Sequence, residues 1–156
     1  MIAETVGMRI QAFVAFVVTS EQLDPVEIQR HLGMTADKTS RRASQLKDPP
    51  RPRFNVCRFQ CSDSTLPITE QIEQVAARVK PISHAIRRLV EESDAGAKLS
   101  VVRYFNDPDG EEERIDQAGD LVKLAGQHQL LGWHLSAELL RLLIDTHAIL
   151  DVDEYG

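Results

Sequence analysis

The sequence predicts an α+β fold: a ferredoxin-like β-α-β-β-α-β unit with an N-terminal β-α extension, giving a mainly antiparallel five-stranded sheet with helices on one face. Three observations carry this. Five apolar runs have strand length and end in turn residues. Two stretches, residues 65–92 and 137–144, repeat their apolar positions at the helical period. The order of these elements reads βα, then β-α-β-β-α-β.

Residues 9–20, rich in Val, Phe and Ala, form the first strand, behind a leader at residues 1–8 expected to be flexible. A short helix follows. Asp24 can cap the free N–H groups of its first turn, Pro25 suits the first helical position, and Glu27 sits at the positive end of the dipole. Val26, Ile28 and Leu32 give it an apolar stripe, and Gly33 is a natural stop. A helix of about two to three turns is too short to stand alone and must dock.

Residues 34–53 read as a basic loop in which Pro49, Pro50 and Pro52 oppose regular structure. Residues 54–61 alternate as the second strand. The main helix opens at Ser64 or Thr65. Its apolar positions Ile68, Ile72, Val75, Val79, Ile82, Ile86 and Leu89 keep the helical period across Pro81. That predicts a kink or fresh start at Lys80 and Pro81, with both pieces facing one core. Residues 98–105 are the third strand, 107–114 an acidic turn, and 115–125 a weakly amphipathic stretch. Residues 130–135 are the fourth strand. Ser136 caps a helix whose apolar side is Leu139, Leu140, Leu142, Leu143 and Ile144, and residues 149–155 make the fifth strand.

At 156 residues the chain is expected to form one domain, residues 1–156, with a core of its own. Hydrophobic content of 42% and charged content of 27% are globular values. A net charge of −6 argues against nucleic-acid or membrane-surface binding by the chain as a whole. No signal peptide is expected, and the apolar run at residues 12–18 is far too short to span a bilayer. Cys57 and Cys61, on one strand, would stand about 13 Å apart. A disulfide allows roughly 7 Å. Two small hydrophobes in a reducing cytoplasm fit that spacing.

Charge is segregated along the chain. Between Asp37 and Arg53 lie Lys38, Arg41, Arg42, Lys47, Arg51 and Arg53 against Asp37 and Asp48, a local +4. Lys38, Arg41, Arg42, Arg51 and Arg53 are therefore candidate contacts for a phosphate, a carboxylate or an acidic partner surface. The plainer reading is a solvated loop paired with the protein's own acidic segments.

The segment Asp24-Pro25-Val26-Glu27-Ile28 to Leu32-Gly33, the loop with Lys38 and Arg41, and the ending Leu150-Asp151-Val152-Asp153-Glu154-Tyr155 carry a resemblance. Together they resemble the bacterial domain-of-unknown-function family DUF4279. The resemblance spans roughly residues 9–155 and implies a fold without implying an activity. Ala36 stands where the family usually has Pro, and Ser40 where it has an aromatic. The tryptophan often found in the second strand is missing, and Phe54 or Phe59 could fill its place.

Asp151 and Asp153 are two apart on a strand, so both point to one face while Leu150 and Val152 point to the other. With Arg58 and Arg103 they make a candidate open sheet face, able to bind polar groups or, as paired carboxylates, a metal. The plainer reading is a cross-strand charge ladder. The spacing Asp107-x-Asp109-Gly110 does not match an EF-hand loop, and the histidines show no metal-ligand spacing. No catalytic residue, metal or cofactor is assigned.

Three functions compete. A binding or interaction domain would use the basic loop on an unidentified protein or a small anionic ligand. An immunity-type protein would neutralise a toxin with its acidic surface. A metal-dependent hydrolase would use Asp151 and Asp153. A homodimer covering the sheet face around Phe13 and Val17 is also expected.

Overall fold

The computed structural model describes residues 8–45, 47–49, 51–105, 111–113 and 132–156. Its organising element is the strand β1, Met8–Ser20. Alternation splits that strand: Ala12, Val14, Phe16 and Val18 face one side and are buried, while Phe13, Ala15 and Val17 face the other. The remaining strands are β2 (Lys38–Ser40), β3 (Asn55–Gln60), β4 (Gly96–Phe105), β5 (Glu111–Glu113) and β6 (Ile149–Tyr155).

The strand order is β2-β3-β1-β4-β6, with β5 paired to the start of β1. β1 runs antiparallel to both β3 and β4, whereas β4 and β6 are parallel. The sheet is mixed, which corrects the mainly antiparallel expectation. The ferredoxin-like order needed a strand at residues 130–135. Residues 132–135 are not a strand, and residues 130 and 131 lie outside the described residues. Trp133 and Leu135 instead pack against the core. The place between β3 and β4 is taken by β1, through a ten-residue ladder with β4. The expected acidic turn and amphipathic stretch fall outside the described residues, apart from β5.

The described helices lie on one face. α1 (Pro25–Leu32) starts as its sequence implies: Asp24 Oδ1 accepts from the Glu27 N–H at 2.9 Å, and Glu27 Oε2 accepts from the Asp24 N–H at 2.9 Å. Gly33 closes it with φ 67°, its N–H reaching the Gln29 carbonyl at 2.9 Å. α2 (Ile68–Val79) starts at the first residue of its apolar pattern, later than the expected opening at Ser64 or Thr65. Pro67 stands at its N-cap with ψ 146°, outside the helical region, and the helix opens behind it. A 3₁₀ turn at Lys80–Ile82 carries Pro81, and α3 (Ser83–Glu92) continues on the same core. α4 (Ala137–Asp145) is capped by Ser136. Together these helices bury Ile28, Ile72, Val75, Val79, Ile86 and Leu143 against Phe16, Phe59, Leu99 and Val101. A fully buried side chain of this size contributes about 1.5–3 kcal/mol.

Two polar ties hold the layers in register. The Ser20 hydroxyl donates to Asp94, which also accepts from the Glu21 N–H at 2.7 Å, joining the end of β1 to the turn before β4. Those bonds, the one from Ser20 foremost, hold the Asp94 carboxyl below its ordinary range. Beneath the sheet, buried Gln71 donates its Nε2 to the Ala12 carbonyl at 2.8 Å and the Leu66 carbonyl at 2.9 Å. It thereby caps β1 where β3 has already turned away.

Replacement of Gly33 by Ala tests the helix stop. Nothing lies within 4 Å of an added Cβ, so the cost is purely that of a left-handed backbone. The expected loss is about 1 kcal/mol in denaturant unfolding.

Candidate binding site on the open sheet face

No described element covers the second face of the sheet. Cross-strand register lays it out in rows. Lys38, Arg58, Val17 and Lys98 stand side by side in one row. Gln60, Ala15, Ser100 and Asp151 form the next, then Phe13, Val102 and Asp153, then Gln11, Tyr104 and Tyr155. Because β3 ends at Gln60 while β1 runs on, a shallow depression of about 210 Å³ opens beside β1. Lys38, Arg58, Ser62, Ser64, Phe13 and Gln71 are among its walls.

Local sequence explains each wall. Lys38 belongs to a three-residue strand within the basic stretch, which holds more structure than its prolines suggest. The backbone there also folds on itself, the Ala43 N–H meeting the Pro52 carbonyl at 2.9 Å and the Gln45 N–H the Arg51 carbonyl at 2.9 Å. Asp37, directly before Lys38, is engaged elsewhere. Burial alone would raise its carboxyl, but the Arg78 guanidinium and the Gln60 N–H outweigh burial and hold it below its ordinary range. The acid nearest Lys38 in sequence is thus bound to Arg78.

The sequence-predicted residues divide between locations. Lys38, expected in the loop, and Arg58, expected on the sheet, are brought opposite each other across β2 and β3. Arg41, Arg42, Arg51 and Arg53 stay exposed along the loop and do not line the depression. Arg53 lies over the Phe54 ring at 5.5 Å. Among the described residues, Lys38, Arg41, Arg42, Arg51, Arg53 and Arg58 form no ion pair, although Arg78, Lys80, Arg87, Arg88, Lys98 and Arg103 do.

Asp151 and Asp153 share the open face, and Asp151 accepts from Lys98 Nζ at 2.6 Å. Arg103 does not join them. It lies on the helix-covered face with Leu99 and Val101, 4% exposed, paired with Glu154 and set over the Phe105 ring at 5.0 Å. Val17 is also buried, between its Arg58 and Lys98 neighbours, whereas Phe13 on the same strand is exposed. Sequence reading passed over Tyr104 and Tyr155. Their rings stack at 5.2 Å, and Phe13 meets Tyr104 edge-on at 6.0 Å. The parity of β4 and β6 was the available signal. Among the described residues no three His, Cys, Asp or Glu side chains gather as metal ligands, and no helix is long and apolar enough to cross a membrane.

The family model described as a domain of unknown function, DUF4279, matches residues 10–156, and the chain belongs to that family. No curated protein and no solved structure matches it.

The two cysteines differ in environment. Burial, with the Asp24 charge adding to it, pushes the Cys57 thiol up to about 11. Cys61 is half-buried at the rim of the depression. A thiol-reactive disulfide reagent at pH 8 should therefore modify one thiol in the folded protein and two after unfolding. Rapid modification of both in the folded state would contradict the burial of Cys57.

Proposed function

We propose that this DUF4279 protein is a non-catalytic binding domain that holds an anionic group on its open sheet face. One observation carries the reading: Lys38 and Arg58 stand opposed across two strands at the mouth of the depression, with no carboxylate partner among the described residues. Ser62, Ser64 and Ser100 also line the depression and bring neutral hydroxyl groups to it. Two cations beside neutral donors make a local field for a phosphate or carboxylate even in an acidic chain. Relative to the loop-centred expectation, the anion contact moves onto the sheet, and Arg41, Arg42, Arg51 and Arg53 become its periphery.

The other two activities gain less. Asp151 is occupied by Lys98, so the hydrolase reading is left without a free carboxylate pair. Toxin neutralisation has no observation of its own. A second copy laid face to face over the exposed ring row of Phe13, Tyr104 and Tyr155 is the competing occupant of this face, and it would exclude a ligand seated against Phe13.

Two measurements test these readings. Calorimetric titration with inorganic phosphate should show binding that weakens with salt. Lys38→Ala combined with Arg58→Gln should reduce that affinity by about tenfold or more, while the melting temperature stays nearly unchanged. The pair Arg41→Ala and Arg42→Ala should leave it intact, and the opposite pattern would return the contact to the loop. For the dimer, light scattering across a concentration series should show twice the chain mass, and a strict monomer at all concentrations removes it.

A further inference from the structure

Gln71 lines the same depression and is 1% exposed. Its Nε2 is fully used, donating to the carbonyls of Ala12, Leu66 and Ser64, and these three acceptors settle which end of the amide is the nitrogen. Its Oε1 accepts no hydrogen bond among the described residues. A buried acceptor without a donor is costly, and such groups in folded proteins are met by a ligand or by water. The depression therefore offers three recognition elements of different chemistry. Lys38 and Arg58 suit an anion, Gln71 Oε1 suits an N–H or O–H donor, and the exposed Phe13 ring, supported edge-on by Tyr104, suits a flat face.

We infer that the ligand is an anion carried by a flat, hydrogen-donating ring, the chemistry of a nucleoside monophosphate. This rests on the anion-binding reading above and adds the ring to it. Arg58 is level with Val17, four residues along β1 from Phe13, so phosphate and ring contacts would be separated by roughly 13 Å of strand. The long Lys38 and Arg58 side chains shorten that span at the anion end. The volume points the same way: about 210 Å³ lies below the roughly 300–1,000 Å³ of sites that enclose drug-sized ligands. That size suits a small, partly exposed ligand such as one nucleotide better than a large enclosed cofactor. A polynucleotide is the less favoured source of the same chemistry, because Asp151 and Asp153 continue the face where further phosphates would run.

The experiment compares three probes by calorimetry: adenosine monophosphate, ribose 5-phosphate and inorganic phosphate. The monophosphate should bind about tenfold tighter than ribose 5-phosphate, the scale of one base stacked on an aromatic ring. Phe13→Ala should erase that ratio while leaving ribose 5-phosphate binding in place. Lys38→Ala with Arg58→Gln should weaken both. Equal affinity for the monophosphate and ribose 5-phosphate, with phosphate still bound, would overturn the ring and leave the anion site standing. No binding of any probe would overturn both. A single-stranded oligonucleotide bound far more tightly than the monophosphate would replace the mononucleotide with a polymer.

Discussion

β1 shares both of its backbone edges, pairing antiparallel with β3 on one side and with β4 on the other, and β5 extends its start. Its alternate residues supply the middle of the core, so pairing and burial constrain each other. A slip of one residue would turn Phe16 and Val18 out and Phe13 and Val17 in. Neighbouring strands keep their faces because β1 keeps its own. The depression depends on the same constraint, since it opens where β3 leaves and β1 continues.

That gap in the sheet leaves backbone groups of β1 without a ladder partner. Gln71 rises from α2 to meet the Ala12 carbonyl, and the Cys61 N–H meets the Val14 carbonyl at 3.2 Å. The structural repair and the candidate site therefore use the same residue. One end of the Gln71 amide secures the strand, and the other accepts no hydrogen bond among the described residues. Opposing charges elsewhere are consumed in holding the fold together, as in Arg78 with Asp37 and Lys98 with Asp151. Lys38 and Arg58 escape that role through their position opposite each other, where a like charge is the nearest neighbour across the strands.

Much of this was legible in local chemistry. The capping box and the Gly33 stop of α1, the break at Pro81 and the Ser136 cap are decided by residues within one or two turns of one another. Local hydrogen bonding and φ preference act without knowledge of the rest of the chain. The pairing of β1 was less legible, because strand partners are chosen by burial across long separations. Arg103 misled for a related reason. A charged residue on a strand suggests solvent, since burying it alone is costly. Its parity with Leu99 and Val101 pointed to the core, and Glu154 on β6 supplies the partner that makes burial tolerable.

The sequence by itself determined which segments are helix or strand in most of the described chain, where α1 and α4 begin, and that positive charge gathers between Asp37 and Arg53. Only the tertiary structure decided that Lys38 faces Arg58, that Arg103 is buried, that β6 lies parallel to β4, and that Phe13, Tyr104 and Tyr155 form one row. Those relations join residues far apart in the chain. They follow from strand pairing and core burial acting together, which no local pattern of residues encodes.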